Sequence, residues 1–392
     1  MERVTFTPPM CCRVRRVLPY CASLPRPRRL SADEAATLAA DVGDLPLALY
    51  LVGMFFTEHH DHTVQEYVDE MREYALKGEA LDISPTNHER DVWKTFAVSY
   101  HRLKNAAENS IVLTLLLNMS YFAPNVTIPR DLLRQPTIQA AKHEFDRALK
   151  QIGKYGLLAG TPAAPSIHSL IAEFVQRQHT EQERTAAQAD VIAAMAAWAQ
   201  QQNAERRALD PSTFAHLAFV AQIAMGVSSA EAEQVWYEMG RHAYRIGQYE
   251  PARTYGAHAL EAYRKRYGDA ALPTAYAGAE YALALSQAQD LTSRSQSLRL
   301  RQSATAVFQQ KLGEQHPDSI NWLYELAVGY DEVHGDLDSP SKCAKRCFAS
   351  RKWKPRYSPK TITLWREPII NWVSSHISAR IIPRHVGSMN RA

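Results

Sequence analysis

The chain has 392 residues, of which 46% are hydrophobic and 22% are charged, the composition of an ordinary globular protein with two or three domains. No stretch of 18 residues is apolar and uncharged, which excludes a membrane-spanning helix, and the N-terminus lacks the apolar core of a signal peptide. We therefore expect a cytoplasmic protein without membrane contact.

The formal net charge of +4 hides an uneven distribution. Residues 1–30 carry +6 and residues 340–392 carry +11, so the remainder carries −13. We expect an irregular basic segment over 1–29 and a basic tail over 377–392. Such ends could contact nucleic acid or an acidic partner, but solvated termini are the commoner outcome and the one we favour.

Residues 30–80 predict a small helical domain. Ser31 and Glu34 have the spacing of a capping box at a helix start, and Pro46 suits the first turn of the next helix. Around these residues, the runs Leu30-Ser-x-x-Glu-Ala and Gly43-Asp-Leu-Pro-Leu-Ala resemble the small helical domain of NB-ARC or STAND signalling NTPases. The resemblance implies that Pro46 packs against the adenine of ADP. The alternative is that Pro46 only begins a helix, which is the commoner role.

Residues 81–180 predict several helices, of which the first, over 86–107, has Trp93, Phe96, Tyr100 and Leu103 on its inward face. Two short strands within 156–168 and a closing helix follow. Helices followed by a hairpin are typical of a winged helix, which follows the small helical domain in STAND proteins. The resemblance implies that His168 contacts the β-phosphate of ADP, although Ser169 stands where plant members have Asp. A His within the core or a strand is the commoner alternative.

Residues 137–155 are the candidate recognition helix if the winged helix binds DNA. This helix mixes Lys and Arg with Glu144 and Asp146, whereas a DNA-reading helix normally has a cleaner basic face. The sequence therefore argues against direct DNA binding. Residues 181–228 predict two linking helices, the second capped by Asp210 with Pro211 at its first position.

Residues 229–376 predict an array of helix pairs. Trp236, Gly240, Tyr244, Ala252 and Ala259 stand at the offsets of a helix, a turn and a second helix with small residues between them. This pattern resembles the tetratricopeptide repeat. Connectors that contain Pro273, Pro317 and Pro359 recur at intervals of 44 and 42 residues, as in the kinesin-light-chain type of repeat. The predicted fold class is therefore all-α, with a small helical domain and winged helix followed by a TPR-like α-solenoid.

The sequence lacks the motifs of nucleotide hydrolysis, metal binding and nucleophilic catalysis, and this narrows the possible functions. No Gly-x-x-x-x-Gly-Lys-Ser/Thr loop is present, so we expect no ATP hydrolysis and no cofactor, with ADP implied only by the STAND resemblance. The run Glu58-His-His-Asp-His62 contains residue types that bind metals, but adjacent residues cannot converge on a metal from one helix face. We therefore expect a helix end there. No nucleophile elbow is present, so we expect no enzyme.

The favoured function is a non-catalytic interaction and regulatory module of a STAND-type protein, which binds a protein or peptide on the concave face of the repeats. The alternatives are an ADP-dependent switch whose nucleotide-binding domain is missing or separate, and a winged-helix transcription regulator. The concave face takes its side chains from the first helix of each pair. We expect Glu238, Arg241, His242, Arg245, Tyr276, Glu280, Asn321 and Glu325 to line it.

Overall fold

The computed structural model describes residues 31–43, 45–59, 61–76, 87–106, 111–134, 142–204 and 209–334. These residues form fifteen helices and a single two-stranded sheet, so the predicted all-α class is confirmed. They divide into two compact units, one that ends at Gly247 and one that begins at Gln248. None of the described helices has the length and apolarity needed to cross a bilayer.

The first unit begins with four helices: α1 (Ala32–Asp41), α2 (Pro46–Glu58), α3 (Val64–Leu76) and α4 (Asn87–Ala106). The capping box is confirmed, because the Glu34 N–H donates to Ser31 Oγ at 3.2 Å and the Ser31 N–H donates to Glu34 Oε2 at 2.8 Å. Helices α2 and α3 both pack on α4. The predicted inward face of α4 is confirmed, because Trp93, Phe96, Tyr100 and Leu103 are buried.

The next elements build the predicted helices and hairpin: α5 (Ile111–Met119), α6 (Arg130–Leu133), α7 (Lys142–Lys154), β1 (Ala159–Thr161), β2 (Ala164–Ser166) and α8 (Ser169–Arg177). The strands are antiparallel, with Ala159 opposite Ser166 and Thr161 opposite Ala164. The preceding loop hydrogen-bonds to this segment through the Ile128 N–H, which donates to the Pro165 carbonyl.

Three helices complete the first unit: α9 (Glu181–Ala204), α10 (Pro211–Ala224) and α11 (Ala230–Arg245). Asp210 caps α10 as predicted, by accepting from the N–H groups of Ser212 and Thr213. Helix α11 packs on both α9 and α10. Buried His216 on α10 ties the unit together, because its Nδ1 accepts from the Ala123 N–H at 3.1 Å and its Nε2 bonds the Thr127 carbonyl at 2.9 Å.

The second unit is a run of antiparallel helices joined by short connectors: α12 (Tyr249–Tyr267), α13 (Leu272–Ser286), α14 (Leu291–Leu312) and α15 (Pro317–His334). Each helix packs on the next one along the chain. Helices α13 and α15 begin at the predicted connector prolines, and we call them first helices; α12 and α14 are second helices. The predicted burial of Gly240, Ala252 and Ala259 is confirmed.

Three predictions fall outside the described residues. These are the basic segment over 1–29, the connector at Pro359 with the helices around it, and the basic tail over 377–392.

Candidate functional site

The first helices of the second unit meet at Tyr276 of α13 and Asp318 of α15. The Tyr276 hydroxyl donates a hydrogen bond to Asp318 Oδ2, and the tyrosine ring packs on Phe308 with ring centroids 4.7 Å apart. Partial burial and the hydrogen bond to the carboxylate together raise the pKa of Tyr276 to about 12. The phenol is therefore neutral and fixed in position.

The polar side chains around this contact form what we call the first-helix face: Tyr276, Glu280, Asp318, Asn321 and Glu325. Tyr276 and Glu280 are one turn apart on α13, and the three α15 residues follow one another at spacings of three and four, so each set lies along one side of its helix. Asn321 is exposed, while Glu280 and Glu325 are partly exposed. The structure thus brings together four of the eight side chains that the sequence assigned to the groove.

The first-helix face has one sign of charge. Helices α13 and α15 together contain five acidic residues and neither Lys nor Arg. Arg301 of α14 pairs with Glu332 at 3.4 Å, so the two helices keep an excess of negative charge rather than a full set of ion pairs of their own. Sequence reasoning missed this property because it sought residues at repeat positions one by one. The signal was available, since the charge of each helix can be counted once its limits are drawn.

The other four predicted groove residues lie on α11 in the first unit, and two of them correct the prediction. Glu238 and His242 were expected to point outward, but their exposed fractions are only 1% and 2%. The reason is that α11 turns this side toward α9. Glu238 accepts a hydrogen bond from the Asn203 amide of α9. It accepts a second one from the Gln234 amide, at 2.7 Å. Neither buried side chain can reach a ligand in this structure.

Arg241 and Arg245 also contact the buried residues Glu238 and Asn203. Arg241 donates to Glu238 Oε2 at 3.3 Å and lies over the Tyr237 ring, while Arg245 donates to the Asn203 carbonyl at 3.4 Å. Burial lowers the pKa of His242 to about 4, with a smaller lowering from the two arginines, against a hydrogen bond to the Ala199 backbone. The imidazole is therefore neutral at pH 7, and its Nε2 has no hydrogen-bond partner among the described residues.

The two residues assigned to ADP occupy helix starts. Pro46 is exposed in the first turn of α2, where its missing N–H costs nothing. His168 is the N-cap of α8, and its Nδ1 accepts from the Leu170 N–H at 3.2 Å. Burial lowers the pKa of His168, which favours the neutral ring that this cap requires.

The histidine-rich stretch after α2 is a helix end, as predicted. Helix α2 stops at Glu58, which pairs with Lys154 of α7 at 3.0 Å. His62 Nε2 instead lies at hydrogen-bond distance from Arg102 Nη2, at 3.0 Å. Arg102 also donates hydrogen bonds to both carboxylate oxygens of Glu70. Within the described ranges, no three His, Cys, Asp or Glu side chains are grouped to hold a metal ion.

Comparison with known proteins adds little to this geometry. No protein-family model matches the chain, and no curated protein matches it. A solved structure that matches is the crystal structure of BtubC (BKLC) from P. vanneervenii, with 14% sequence identity, 67% of this chain and 93% of that chain covered, and a TM-score of 0.33. A likeness of this size carries no argument about function, so the first-helix face has to be interpreted from its own chemistry.

Proposed function

We propose that the chain is a non-catalytic protein-interaction module and that the first-helix face binds an extended, basic segment of a partner protein. The observation that supports this most directly is the charge of α13 and α15, which contain five acidic residues and no Lys or Arg. Of these acids, Glu332 pairs with the buried Arg301 of α14 at 3.4 Å, and the excess of carboxylates that remains favours the Lys and Arg side chains of a partner.

The geometry of the face suits an extended peptide. Asn321 is exposed and offers an amide that can both donate to and accept from a peptide backbone. Glu280 and Glu325 stand on neighbouring first helices, beside the Tyr276–Asp318 contact that joins these helices. Because that contact is formed within the chain, the face is ordered before a partner arrives, which lowers the entropic cost of binding.

The test uses synthetic peptides and charge-reversed variants. A fluorescein-labelled peptide that alternates Lys and Ser is titrated with the full chain, beside a counterpart with Glu in place of Lys. We expect the basic peptide alone to bind, and Glu280→Lys with Glu325→Lys to weaken it at least about tenfold, the equivalent of one charge-assisted hydrogen bond. Each reversal is also measured singly, and Glu314→Lys is then the matched control, because it changes the net charge equally and Glu314 is exposed in the connector before α15.

Two results would overturn the proposal. One is equal weakening by Glu314→Lys, which would mean that only the net charge matters. The other is preference for the acidic peptide. If the basic peptide binds as expected, the same variants are used to recover natural partners by cross-linking, and a partner's cross-links must map to α13 and α15.

The STAND-type context stays a proposal of its own. It is motivated by the Gly43-to-Ala48 run before α2, by His168, and by the order of helices, hairpin and closing helix. Titration calorimetry with ADP on the wild type and on His168→Ala tests it. ADP binding that is lost in the variant would support a nucleotide switch, and no heat of binding in the wild type would reject one for this chain.

A further inference from the structure

The second unit also contains a groove formed mainly by its second helices. The groove lies between α12 and α14, has a volume of about 580 Å³, and takes its base from α13. Leu260, Tyr281 and Leu300 supply its apolar surface. Its polar lining includes Arg264, Gln296, Arg299 and Ser303. We call this feature the second-helix groove.

Two glycines allow close packing beneath the apolar residues of the second-helix groove. A side chain at Gly278 would begin 3.5 Å from Leu260 and 3.9 Å from Leu300, between the two leucines of the groove. Tyr281 packs directly on Gly256, where an added Cβ would lie 3.0 Å from the tyrosine ring. Tyr281 is further held by a side-chain hydrogen bond with Gln296. The apolar surface is therefore preformed rather than assembled by a ligand.

The second helices are basic, in contrast to the first helices. Helices α12 and α14 contain eight Lys and Arg residues and two Glu residues. Arg299 is exposed and makes no ion pair or hydrogen bond within the part of the chain that the structure describes. Arg264 pairs with Asp269 at 3.0 Å, but the two side chains are 46% and 83% exposed, so an incoming carboxylate can replace that contact at little cost.

We propose that the second-helix groove binds an acidic segment of a protein partner, with an apolar side chain on Leu260, Tyr281 and Leu300 and carboxylates on Arg264 and Arg299. Guanidinium groups bind carboxylates in two-pronged geometry, and an apolar base with a few polar groups at the edge is typical of a side-chain pocket. The volume accommodates one or two side chains.

A peptide fits the groove better than a nucleic acid does. The apolar base can accept an aliphatic side chain of a peptide, whereas it offers no hydrogen bond to a phosphate backbone. Glu261 also lines the groove, but it pairs with Lys265 at 2.7 Å and does not discriminate between the two kinds of anion. This binding site is distinct from the first-helix face, because every lining residue except Tyr281 lies on a second helix and the charge is opposite. The two proposals can therefore fail independently, and each has its own variants.

The test is fluorescence anisotropy on the full chain with three labelled peptides: one that combines Glu and Leu, one with Lys in place of Glu, and one with Ser in place of Leu. Arg264→Glu and Arg299→Glu reverse the charge at the groove, and Ser303→Trp fills it without changing charge. Lys311→Glu is the matched control, since Lys311 is exposed on α14 but does not line the groove. Circular dichroism and melting curves verify that each variant is folded.

We expect the Glu/Leu peptide to bind most tightly. Each groove variant should weaken it at least about tenfold, while Lys311→Glu changes affinity less than about twofold. Equal loss in Lys311→Glu, equal affinity for the Glu/Ser peptide, or unchanged affinity in Ser303→Trp would overturn the proposal. Displacement of the peptide by a single-stranded oligonucleotide, with tighter binding of that oligonucleotide, would overturn it in favour of a nucleic-acid surface.

Discussion

Tyr276 donates a hydrogen bond to Asp318, and these two residues stand 42 positions apart on first helices of successive pairs. The distance along the chain is close to the 44 residues between Pro273 and Pro317, so the bond joins one copy of the helix pair to the next. A repeat array is stabilised by contacts between neighbours. The Tyr276–Asp318 bond is such a contact, placed on the face that we propose for partner binding.

Tyr276→Phe removes this bond while keeping the ring on Phe308. We expect the free energy of unfolding to fall by about 1–3 kcal/mol, because the lost bond has a charged acceptor. Urea unfolding of the two proteins measures the difference. Tyr267→Phe is the control, since Tyr267 is 47% exposed and should change stability by less than about 0.5 kcal/mol. Equal effects of both substitutions would contradict a stabilising role for the bond.

Two glycines in helices should respond oppositely to alanine. Gly53 lies inside α2, and a Cβ there would meet no atom within 4 Å, so Gly53→Ala should raise stability by up to about 1 kcal/mol. At Gly256, the added Cβ would lie 3.2 Å from Tyr281 Cβ and 3.4 Å from its Cα. Because a backbone cannot move aside easily, we expect Gly256→Ala to cost about 1–3 kcal/mol. Thermal unfolding tests the sign of each change.

Ala252→Leu tests the packing that the repeat pattern predicted. Ala252 is 1% exposed on α12, so the three added carbon atoms cannot be accommodated without movement. We expect a cost of about 1–3 kcal/mol in the free energy of unfolding. Ala257→Leu offers a comparison at a half-buried position of the same helix. An unchanged melting temperature for Ala252→Leu would contradict the assignment of a repeat position to this residue.

The elements that could be predicted from sequence are those whose signals are local. The Ser31 capping box, the Asp210 cap and the connector prolines Pro273 and Pro317 act on the residues next to them, and each was found where expected. The inward face of α4 followed from periodicity, because the apolar stripe of an amphipathic helix packs against the core. Such signals also located the first helices, and with them Tyr276 and Asn321.

The parts that could not be predicted depend on a neighbour distant in sequence. Polar Glu238 and His242 are typical of an exposed helix side, and only the packing of α9 on α11 shows that they are covered. The orientation of Tyr276 toward Asp318 likewise needs the stacking of two pairs. The second-helix groove was missed because it combines glycines on α12 and α13 with a charge imbalance over α12 and α14.

The buried contacts of Arg241 and Arg245 determine what the substitutions Arg241→Glu and Arg245→Glu should do. On an exposed binding face they would leave stability unaltered, but Arg241 donates to the buried carboxylate of Glu238. Arg241→Glu would remove a donor and place a second carboxylate beside the first. We expect the free energy of unfolding of the double variant to be lower by about 1–3 kcal/mol. Arg253→Glu, which replaces the partner of an exposed Glu250, is the comparison and should cost less. A melting temperature equal to that of the wild type would contradict the buried contact.

The stability of the chain should fall in acid, and His242 should account for a large part of the loss. Its pKa is lowered from 6.5 to about 4 in the folded state. Below pH 6.5 His242 becomes protonated in the unfolded chain, whereas in the folded chain it stays neutral until the pH approaches about 4. The contribution of His242 is therefore complete above pH 6.5 and is lost as the pH falls toward 4. This difference between the pKa values of the unfolded and folded states corresponds to roughly 3 kcal/mol in the free energy of unfolding.

His242→Asn isolates this contribution. The Asn amide can replace the bond to the Ala199 backbone, but it does not titrate. We expect the free energy of unfolding of the variant, measured in urea at about pH 7 and about pH 4.5, to depend less steeply on pH than that of the wild type. Other histidines with lowered pKa values, such as His216, remain in both proteins and cancel in the comparison. His258→Asn, at an exposed position on α12, should keep the wild-type slope. Equal slopes for His242→Asn and the wild type would show that the imidazole is accessible to protons in the folded state, contrary to its burial against α9.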